Sequence, residues 1–376
     1  MAHIVILGSA YPLRGGGLAT FNERLATAML EAGHRVTIYT FSLQYPGILF
    51  PGKTQYADGP PPDKLDIKVK LNSINPLNWV SVGREISRLK PDYLVIRYWI
   101  PFMAPSLGTV AAIVKKNRHT RVVALADNIV PHEKRPGDTL LTRYFIRHIH
   151  HFVAMSGQVS DDLLALDVPL SRIHVCPHPL YDNFGTPVPQ TEARHQLELP
   201  LGKPLALFFG FIREYKGLDL LIKALAHPKL RQLDVKLVVA GEFYTSEKPY
   251  IELAKEYGVE DRIIWKTEFI PNELVRHYFC ASDLVVQPYK SATQSGVTQV
   301  AYHFDKPMVV TNVGGLPEMV THGKAGYVVN PDPESIADAM VVFFEQNRAA
   351  ELIAHIQLEK KRFSWTRLVN TLLIEE

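Results

Sequence analysis

Cysteine is scarce in this sequence: Cys176 and Cys280 are the only two among 376 residues. Two thiols cannot build a disulfide framework, which excludes the small secreted folds that disulfides hold together and favours a reducing compartment. Neither cysteine stands in a CxxC or histidine-rich context, so we expect no metal site.

Long apolar runs are missing as well. The longest uncharged stretch, 98–114, is interrupted by two prolines and a glycine, which argues against a membrane-spanning helix. The first eight residues lack a basic region, and their apolar run is too short for a signal peptide. We therefore expect a first buried strand there and a cytoplasmic location.

The pattern GxGxxG is absent after that first strand, which argues against an ordinary dinucleotide site and a nicotinamide oxidoreductase. Three glycines, Gly15, Gly16 and Gly17, follow instead. They predict a flexible loop over a phosphate or an acceptor.

The net charge of +3 is distributed unevenly. Residues 1–182 hold 20 Lys and Arg against 14 Asp and Glu, whereas the remainder holds 21 against 24. A basic N-terminal half suits an anionic acceptor or peripheral contact with the inner face of an anionic membrane. The alternative is a solvated surface with uneven charge.

Short apolar runs alternate with helical patterns through both halves, which predicts parallel βαβ units in an α/β protein. A proline-rich stretch, 183–203, is predicted as the linker between a domain at 1–182 and a domain at 204–350. Two doubly wound domains would face each other across a cleft, where ligands bind beyond the carboxyl ends of the strands.

The strongest local pattern begins with an apolar strand at 205–209 that runs into Gly210. Arg213 and Lys216 follow in a short loop, and an amphipathic helix begins after them. An arginine fork and a lysine point charge are what a diphosphate requires. Cations at a helix N-terminus are unfavourable unless an anion binds there, so we predict a diphosphate site.

Two further segments follow predicted strands. In 287–300 a small polar loop leads to Ser295, which is predicted to cap a helix whose free amides form an anion site, with an ordinary capped helix as the alternative. In 312–318 the pair Gly314-Gly315 lets the backbone approach a ligand closely, although a tight turn explains it equally well.

Together these segments resemble glycosyltransferase family 4, whose members have two Rossmann-like domains in the GT-B architecture and react with retention. The similarity extends over essentially the whole chain. Its motifs are the first glycine loop, Gly210 to Gly217, Ala240-Gly241-Glu242, Ser295 to Val300, Lys306-Pro307, Gly314 to Glu318, and Phe363-Ser364-Trp365. The last of these implies that 351–376 form a C-terminal helix that crosses back to the N-terminal domain.

The resemblance implies a nucleotide-sugar donor, a glycan or lipid-linked acceptor, no cofactor, no essential metal and no nucleic acid partner. Its donor contacts map to Gly16, Gly17, Arg213, Lys216, Glu242, Phe269, Ile270, Thr293, Gln294, Ser295, Gly296, Val297 and Gln299. Among these, Arg213 and Lys216 would hold the diphosphate, while Phe269 and Ile270 would contact the nucleobase.

The sequence departs from the family at three places. The family's arginine directly after the glycine is Phe211 here, so Arg213 is its expected substitute. Its two glutamates, spaced E-x7-E, fall on Ala292 and Val300, and Gln299 is the expected partner of a ribose hydroxyl instead. These departures leave open a catalytically silent binding subunit, and a sugar-nucleotide epimerase is a second alternative.

Catalytic and acceptor residues are predicted after two strands of the N-terminal half. The family has a histidine near the transferred sugar, which makes His132 the candidate, with Asp127 and Asn128 as alternates. A loop histidine paired with an acidic neighbour is the other interpretation. Tyr98 and Trp99 would form an aromatic rim for the acceptor, with burial in the domain interior as the alternative.

Overall fold

The computed structural model describes residues 1–14, 17–47, 54–57, 60–131 and 135–374. The chain divides into two compact units, one made of Met1–Pro179 with Ser364–Glu376 and the other of Leu180–Phe363. Each unit is an α/β domain built on one parallel sheet. Among the described residues, no helix has the length and apolar character that a membrane crossing needs.

The sheet of the first unit has seven parallel strands in the order β3-β2-β1-β4-β5-β6-β7. The strands are β1 (His3–Leu7), β2 (Arg35–Leu43), β3 (Asp66–Asn72), β4 (Tyr93–Tyr98), β5 (Arg121–Ala126), β6 (His151–Ala154) and β7 (Ile173–Val175). Helices cover both faces of such a sheet, and its central strands β1, β4 and β5 are accordingly apolar and buried almost throughout.

The helices of this unit are α1 (Ala19–Glu31), α2 (Pro76–Leu89), α3 (Ala104–Lys115), α4 (Asp138–Ile146), α5 (Gly157–Leu164) and, from the end of the chain, α15 (Trp365–Leu372). Local sequence explains where α2 begins, because Asn75 accepts hydrogen bonds from the amides of Leu77 and Asn78. Proline follows as the first helical residue, where no amide is required.

The sheet of the second unit has six parallel strands in the order β10-β9-β8-β11-β12-β13. The strands are β8 (Leu205–Phe209), β9 (Lys236–Ala240), β10 (Ile263–Lys266), β11 (Leu284–Gln287), β12 (Met308–Thr311) and β13 (Gly326–Val329). The helices are α6 (Gln190–Gln196), α7 (Leu218–Leu225), α8 (Pro228–Gln232), α9 (Lys248–Glu256), α10 (Asn272–Ala281), α11 (Gly296–His303), α12 (Leu316–Met319), α13 (Pro333–Glu345) and α14 (Ala349–Glu359).

The units begin and end at other residues than the predicted domains. The expected linker, 183–203, contains α6, which belongs to the second unit. Arg194 anchors it, because its guanidinium donates to the Ala281 carbonyl at 2.9 Å and pairs with Asp283 at 3.0 Å. In the expected C-terminal segment, 351–376, Leu352 of α14 lies in the core of the second unit, whereas α15 belongs to the first.

Candidate functional site

The predicted donor residues of the second unit follow consecutive strands. Because all six strands are parallel, their carboxyl ends lie at one edge of the sheet. Arg213 and Lys216 follow β8, Glu242 follows β9, and Phe269 and Ile270 follow β10. The segment Thr293 to Gln299 follows β11. This edge therefore brings together donor residues that lie as much as 86 positions apart in the sequence.

Gly210 is the point where the loop after β8 meets the beginning of α11. Its φ of +101° lies in the region that favours glycine, and its amide donates to the Ala240 carbonyl at 2.9 Å. A Cβ at this position would lie 2.9 Å from Lys216 Nζ and 3.7 Å from Val297 Cγ2. The lysine ammonium and the first turn of α11 therefore converge over a glycine that leaves room between them.

Lys216 is a partly exposed cation without a countercharge. Its ammonium lies 5.6 Å from the centre of the Tyr289 ring, a distance at which a cation–π attraction operates. It makes no ion pair or hydrogen bond through its side chain within the described part of the chain. Burial, and then the nearby Arg213, lower the pKa of Lys216 to about 8. A bound anion would offset both effects by stabilising the protonated lysine.

Arg213 is the second cation of this edge. Its guanidinium lies 5.0 Å from the centre of the Tyr244 ring, and that ring contacts Phe211 with centroids 4.4 Å apart. Across the residues that the structure describes, the Arg213 side chain has no carboxylate or carbonyl partner. The aromatic contacts orient the guanidinium while its N–H donors stay available for a ligand.

Two backbone contacts fix the loop after β8 against the loop after β11. Gly217 has a φ of +67°, and a Cβ there would lie 1.9 Å from the Pro288 carbonyl oxygen. The Lys290 amide donates to the Tyr215 carbonyl at 2.7 Å. The position of Lys216 relative to α11 therefore depends on close backbone packing as well as on its own rotamer.

The first turn of α11 is open, contrary to the predicted cap. Ser295 occupies the N-cap position, yet its side chain makes no capping hydrogen bond, and its hydroxyl lies 3.4 Å from the Tyr289 hydroxyl instead. In the described structure the Gly296 and Val297 amides have no protein acceptor. Such amides at a helix N-terminus favour an anion.

Gln299 lies in the second turn of α11 and is fully buried, with 0% of its surface exposed. Neither its amide oxygen nor its amide nitrogen has a hydrogen-bond partner among the described residues. By contrast, its neighbour Thr298 donates to Gln287 Oε1 at 3.1 Å. An unsatisfied buried amide costs free energy, so Gln299 needs an explanation other than packing.

The remaining predicted donor residues take simpler positions. Thr293 and Glu242 are buried, and the Glu242 carbonyl accepts from the Ile212 amide at 2.9 Å. Gln294, Phe269 and Ile270 are partly buried. Ala292 and Val300, the positions where the family resemblance expected glutamates, are both buried.

Gly314 ties the segment after β12 to this site. Its φ is +50°, and a Cβ there would lie 1.4 Å from the Ala292 carbonyl oxygen. Nearby, the Thr311 hydroxyl donates to the Tyr289 carbonyl at 2.6 Å. Gly314 therefore serves a close approach of two loops, and the approaching group is protein backbone.

Three contacts at this edge were not predicted from the sequence. Tyr289 and Tyr244 hold the two cations, and Gly241 packs so closely that a Cβ would lie 2.3 Å from the Gly210 carbonyl oxygen. The glycine that directly follows β9 is the sequence signal for this contact. No such signal exists for the tyrosines, because aromatic residues after a strand are common.

In the first unit, Asp127 follows β5 and forms an ion pair with Arg97 of β4. Both carboxylate oxygens accept from the guanidinium, at 2.5 and 2.7 Å. The structure therefore gives Asp127 a structural partner, Arg97, where the sequence suggested an alternate catalytic residue. Asn128 is partly exposed beside it. His132 and Gly16 lie outside the described residues, and Gly17 is exposed before α1.

The predicted aromatic acceptor rim is also corrected. Tyr98 is fully buried, with its hydroxyl 2.9 Å from that of Thr142 and its ring stacked on Phe145 at 4.3 Å. Trp99 is buried as well, and its indole N–H donates to the Tyr45 hydroxyl at 2.8 Å. The Tyr98 hydroxyl and the Trp99 indole N–H therefore already have hydrogen-bond partners within the first unit.

Metal ligands do not cluster in the described residues, where no group of three or more His, Cys, Asp or Glu side chains is arranged to hold an ion.

Known proteins resemble the chain in both halves. A model described as Glycosyltransferase Family 4 matches residues 15–182, and one described as Glycosyl transferases group 1 matches residues 189–357. A D-inositol 3-phosphate glycosyltransferase of Xylanimonas cellulosilytica is 27% identical over 384 residues, which cover 95% of this chain and 90% of that protein. One from Corynebacterium glutamicum is 31% identical over 180 residues, covering 46% and 43%.

Solved structures share the fold. Anabaena Alr3699/HepE in complex with UDP has a TM-score of 0.74 at 18% identity, covering 98% of this chain and 99% of that one. Sucrose-phosphate synthase from Thermosynechococcus elongatus has a TM-score of 0.71 at 19% identity, covering 99% and 96%. With two glycosyltransferase models matched in succession along the chain, and two parallel-sheet domains of the GT-B type, the chain belongs to the family 4-like glycosyltransferases.

Proposed function

We propose that this protein is a retaining glycosyltransferase that moves a hexose from a UDP-sugar to a glycan or lipid-linked acceptor. Retention is implied by the resemblance to family 4. UDP is the proposed donor nucleotide because Anabaena Alr3699/HepE, which shares the fold, was solved with UDP and with UDP-glucose.

One observation carries the proposal: two cations without a countercharge meet an open helix start. Lys216 and Arg213 make no ion pair in the described structure, and Val297 of the α11 first turn lies beside the same Gly210 as the Lys216 ammonium. Burial, and then repulsion by the nearby Arg213, lower the pKa of Lys216. A diphosphate would remove that repulsion and supply acceptors for the Gly296 and Val297 amides.

The same groups would promote the reaction. When the bond between sugar and diphosphate breaks, negative charge grows on the leaving phosphate. Preorganised cations and amides stabilise that charge, usually the largest contribution to such a rate enhancement. With Arg213, Lys216 and the α11 dipole in place, the proposal requires no divalent metal. In the retaining reaction a leaving-group phosphate oxygen would accept the proton of the acceptor hydroxyl.

Nucleotide binding by calorimetry tests the donor site. UDP is titrated into the protein with and without magnesium, alongside GDP and ADP. We expect UDP to bind most tightly, with no requirement for magnesium. Lys216→Ala should weaken UDP binding about 10- to 100-fold, because a hydrogen bond to a charged group contributes about 1.5–3 kcal/mol. Lys223→Ala, which removes a lysine from the last turn of α7, is the matched control. Equal affinities of the two variants would exclude the assigned role.

A catalytically silent binding subunit is the second candidate, because Ala292 and Val300 are apolar where the family resemblance places glutamates. Incubation with UDP-sugars and candidate acceptors separates the two. Intact UDP binding without any turnover of the donor would favour the silent subunit. Conversion of a UDP-sugar to its epimer without acceptor would instead indicate a sugar-nucleotide epimerase.

The catalytic side chain remains a proposal of its own. With Asp127 engaged by Arg97, we assign the position near the transferred sugar to His132, with Asn128 as the alternate. His132→Ala should lower kcat for transfer and leave UDP affinity unchanged. A kcat unchanged in His132→Ala but reduced in Asn128→Ala would transfer the role to Asn128.

A further inference from the structure

A second basic site lies in the first unit, at the edge of the sheet formed by the amino ends of its strands. It is a depression of about 250 Å³ lined by Lys115, Arg118, His119, Thr120, Arg121, His150 and His151. Thr120 directly precedes β5 and His150 directly precedes β6, so the depression lies at the amino ends of these strands. Asp127 follows the carboxyl end of β5, at the opposite edge.

The charges that line this depression are poorly compensated. The side chains of Lys115 and Arg118 make no ion pair or hydrogen bond with the described part of the chain. Arg121 is held in place, because its guanidinium donates to the Ile374 carbonyl at 2.8 Å. His119 lies 3.4 Å from a carboxylate oxygen of Asp92. Positive charge therefore accumulates around an open space.

His150 lies beside these cations, and its pKa is lowered. Burial, followed by Lys115, His151, Arg172 and Arg121, lowers the pKa of His150 to about 4. The pKa of Lys115 is also lowered, first by burial and then by Arg172. Burial is the larger cause of both shifts, and the neighbouring cations add to it, so further positive charge is unfavourable here.

A helix dipole explains only part of this arrangement. Lys115 ends α3, and a cation at a helix C-terminus is favourable without any ligand. Arg121, His150 and His151 belong to other elements, whose geometry gains nothing from that dipole. The convergence of a helix end and two strand starts on one depression therefore calls for a negatively charged partner.

We propose that this depression binds a phosphate-bearing anion, held by Lys115, Arg118 and Arg121 with His150 and His151 at its wall. Arginine forks and a lysine ammonium match phosphate oxygens, and the volume accommodates a phosphate or pyrophosphate group. The anion comes either from solution or from the head group of a phospholipid. The site is separate from the proposed donor site, which belongs to the second unit.

The test separates the two sites and the two sources of phosphate. Arg213→Ala/Lys216→Ala serves as the background in which the proposed donor site is disabled. Inorganic pyrophosphate is titrated calorimetrically into this variant, and sedimentation with phosphatidylglycerol-containing vesicles is measured in parallel. Phosphatidylcholine vesicles serve as the uncharged control. Adding Lys115→Glu/Arg118→Glu to the background should weaken pyrophosphate or vesicle binding at least about tenfold.

A charge-matched control excludes a general effect of net charge. Lys255→Glu/Lys324→Glu makes the same charge change at two exposed lysines of the second unit and should retain binding. UDP affinity of the otherwise unchanged Lys115→Glu/Arg118→Glu protein should stay the same, so failure of this proposal is distinguishable from failure of the proposed function. If Lys115→Glu/Arg118→Glu abolishes pyrophosphate binding, the ligand of this depression is a soluble anion. If the substitutions abolish only vesicle binding, the ligand is a phospholipid head group. If neither binding depends on Lys115 and Arg118, the proposal is wrong.

A histidine readout covers the case in which charge reversal disturbs the fold. In ¹⁵N-histidine spectra of the Arg213→Ala/Lys216→Ala protein, pyrophosphate should shift the resonances of His150 and His151. It should also raise the pKa of His150, since a nearby anion favours the protonated ring. Unshifted resonances at saturating pyrophosphate and phosphatidylglycerol would likewise contradict the proposal.

Discussion

Arg97 and Asp127 form a bidentate ion pair in the interior of the first unit, with Nε to Oδ2 at 2.5 Å and Nη2 to Oδ1 at 2.7 Å. Only 3% of Arg97 is exposed, and its guanidinium carbon lies 3.7 Å from the centre of the Phe21 ring. A guanidinium so completely removed from water requires its carboxylate. Asp127 is therefore a structural partner of Arg97, although its position after β5 suggested catalysis.

Asp127→Asn should destabilise the first unit strongly. Removing one partner of a buried ion pair leaves an uncompensated charge, which costs about 3–5 kcal/mol. Chemical denaturation measures the loss. Asp167→Asn breaks an exposed pair with Arg143 and should cost less than about 1 kcal/mol. A stable Asp127→Asn protein that no longer transfers sugar would contradict the structural role and restore the catalytic one.

Nucleotide affinity should depend on pH through Lys216. Its pKa of about 8 means that the free ammonium loses its proton above that value. A bound diphosphate would raise the pKa, so binding above pH 8 takes up a proton and becomes weaker as pH rises. Between pH 7 and pH 9 we expect UDP affinity to fall about tenfold, since the protonated fraction falls by about that factor.

Calorimetry in two buffers of different ionisation enthalpy would detect this proton uptake at pH 9. Lys216→Arg provides the control, because a guanidinium keeps its charge throughout this range. Its affinity should vary little between pH 7 and pH 9. A flat profile for the unmodified protein would show that Lys216 does not contact the diphosphate.

The sequence predicted the central strands well and missed three of the four edge strands. The apolar runs at 3–7, 121–126, 205–209, 284–287 and 308–311 predict buried strands, and β1, β5, β8, β11 and β12 have these bounds. Strands covered on both faces read as such continuous apolar runs. β3, β7 and β13 were not predicted. β3 has the sequence DIKVKLN and is largely exposed, and β7 has three residues, so neither shows a buried apolar run.

The sequence predicts those site residues whose positions depend only on a strand nearby in the sequence. Arg213 and Lys216 stand seven residues or fewer from a strand end, so their place at the carboxyl edge followed from the sequence. The partner of Asp127 lies 30 residues away, and the burial of Tyr98 depends on Phe145 in α4. Neither contact has a local signature, which explains why these two residues were assigned to the site.

Gly314→Ala should be far more damaging than an alanine at another glycine with positive φ. Gly323, at +76°, has no atom within 4 Å of its Cβ position, so Gly323→Ala measures the backbone cost alone, about 1–2 kcal/mol. At Gly314 the added Cβ meets the Ala292 carbonyl at 1.4 Å, which forces the two loops apart.

We expect Gly314→Ala to cost at least about 3 kcal/mol and to weaken UDP-sugar binding, while Gly323→Ala leaves binding unchanged. Thermal unfolding and calorimetry on the two variants measure both effects. Similar stability losses in Gly314→Ala and Gly323→Ala would mean that the loops holding Gly314 and Ala292 move apart at little cost in free energy. Unchanged binding in Gly314→Ala would separate the segment after β12 from the donor site.

Gln299→Met should stabilise the protein and impair it as a transferase. The fully buried amide has no partner in the described structure, so replacing it with an apolar side chain of similar length removes an unsatisfied group. We expect a gain of about 1–2 kcal/mol in the free energy of unfolding. If the amide serves a ribose or sugar hydroxyl, UDP-sugar affinity falls in the same variant.

Thr298→Val provides the matched comparison on the same helix. Its hydroxyl donates to Gln287 Oε1 at 3.1 Å, so its removal leaves a buried acceptor unpaired and should destabilise by about 1–2 kcal/mol. Opposite signs of the change in unfolding free energy for the two variants would identify Gln299 as a group without a protein partner. Such destabilising groups are expected at sites that bind a ligand. A destabilised Gln299→Met protein with full UDP-sugar affinity would instead show that this amide supports the fold and has no part in the donor site.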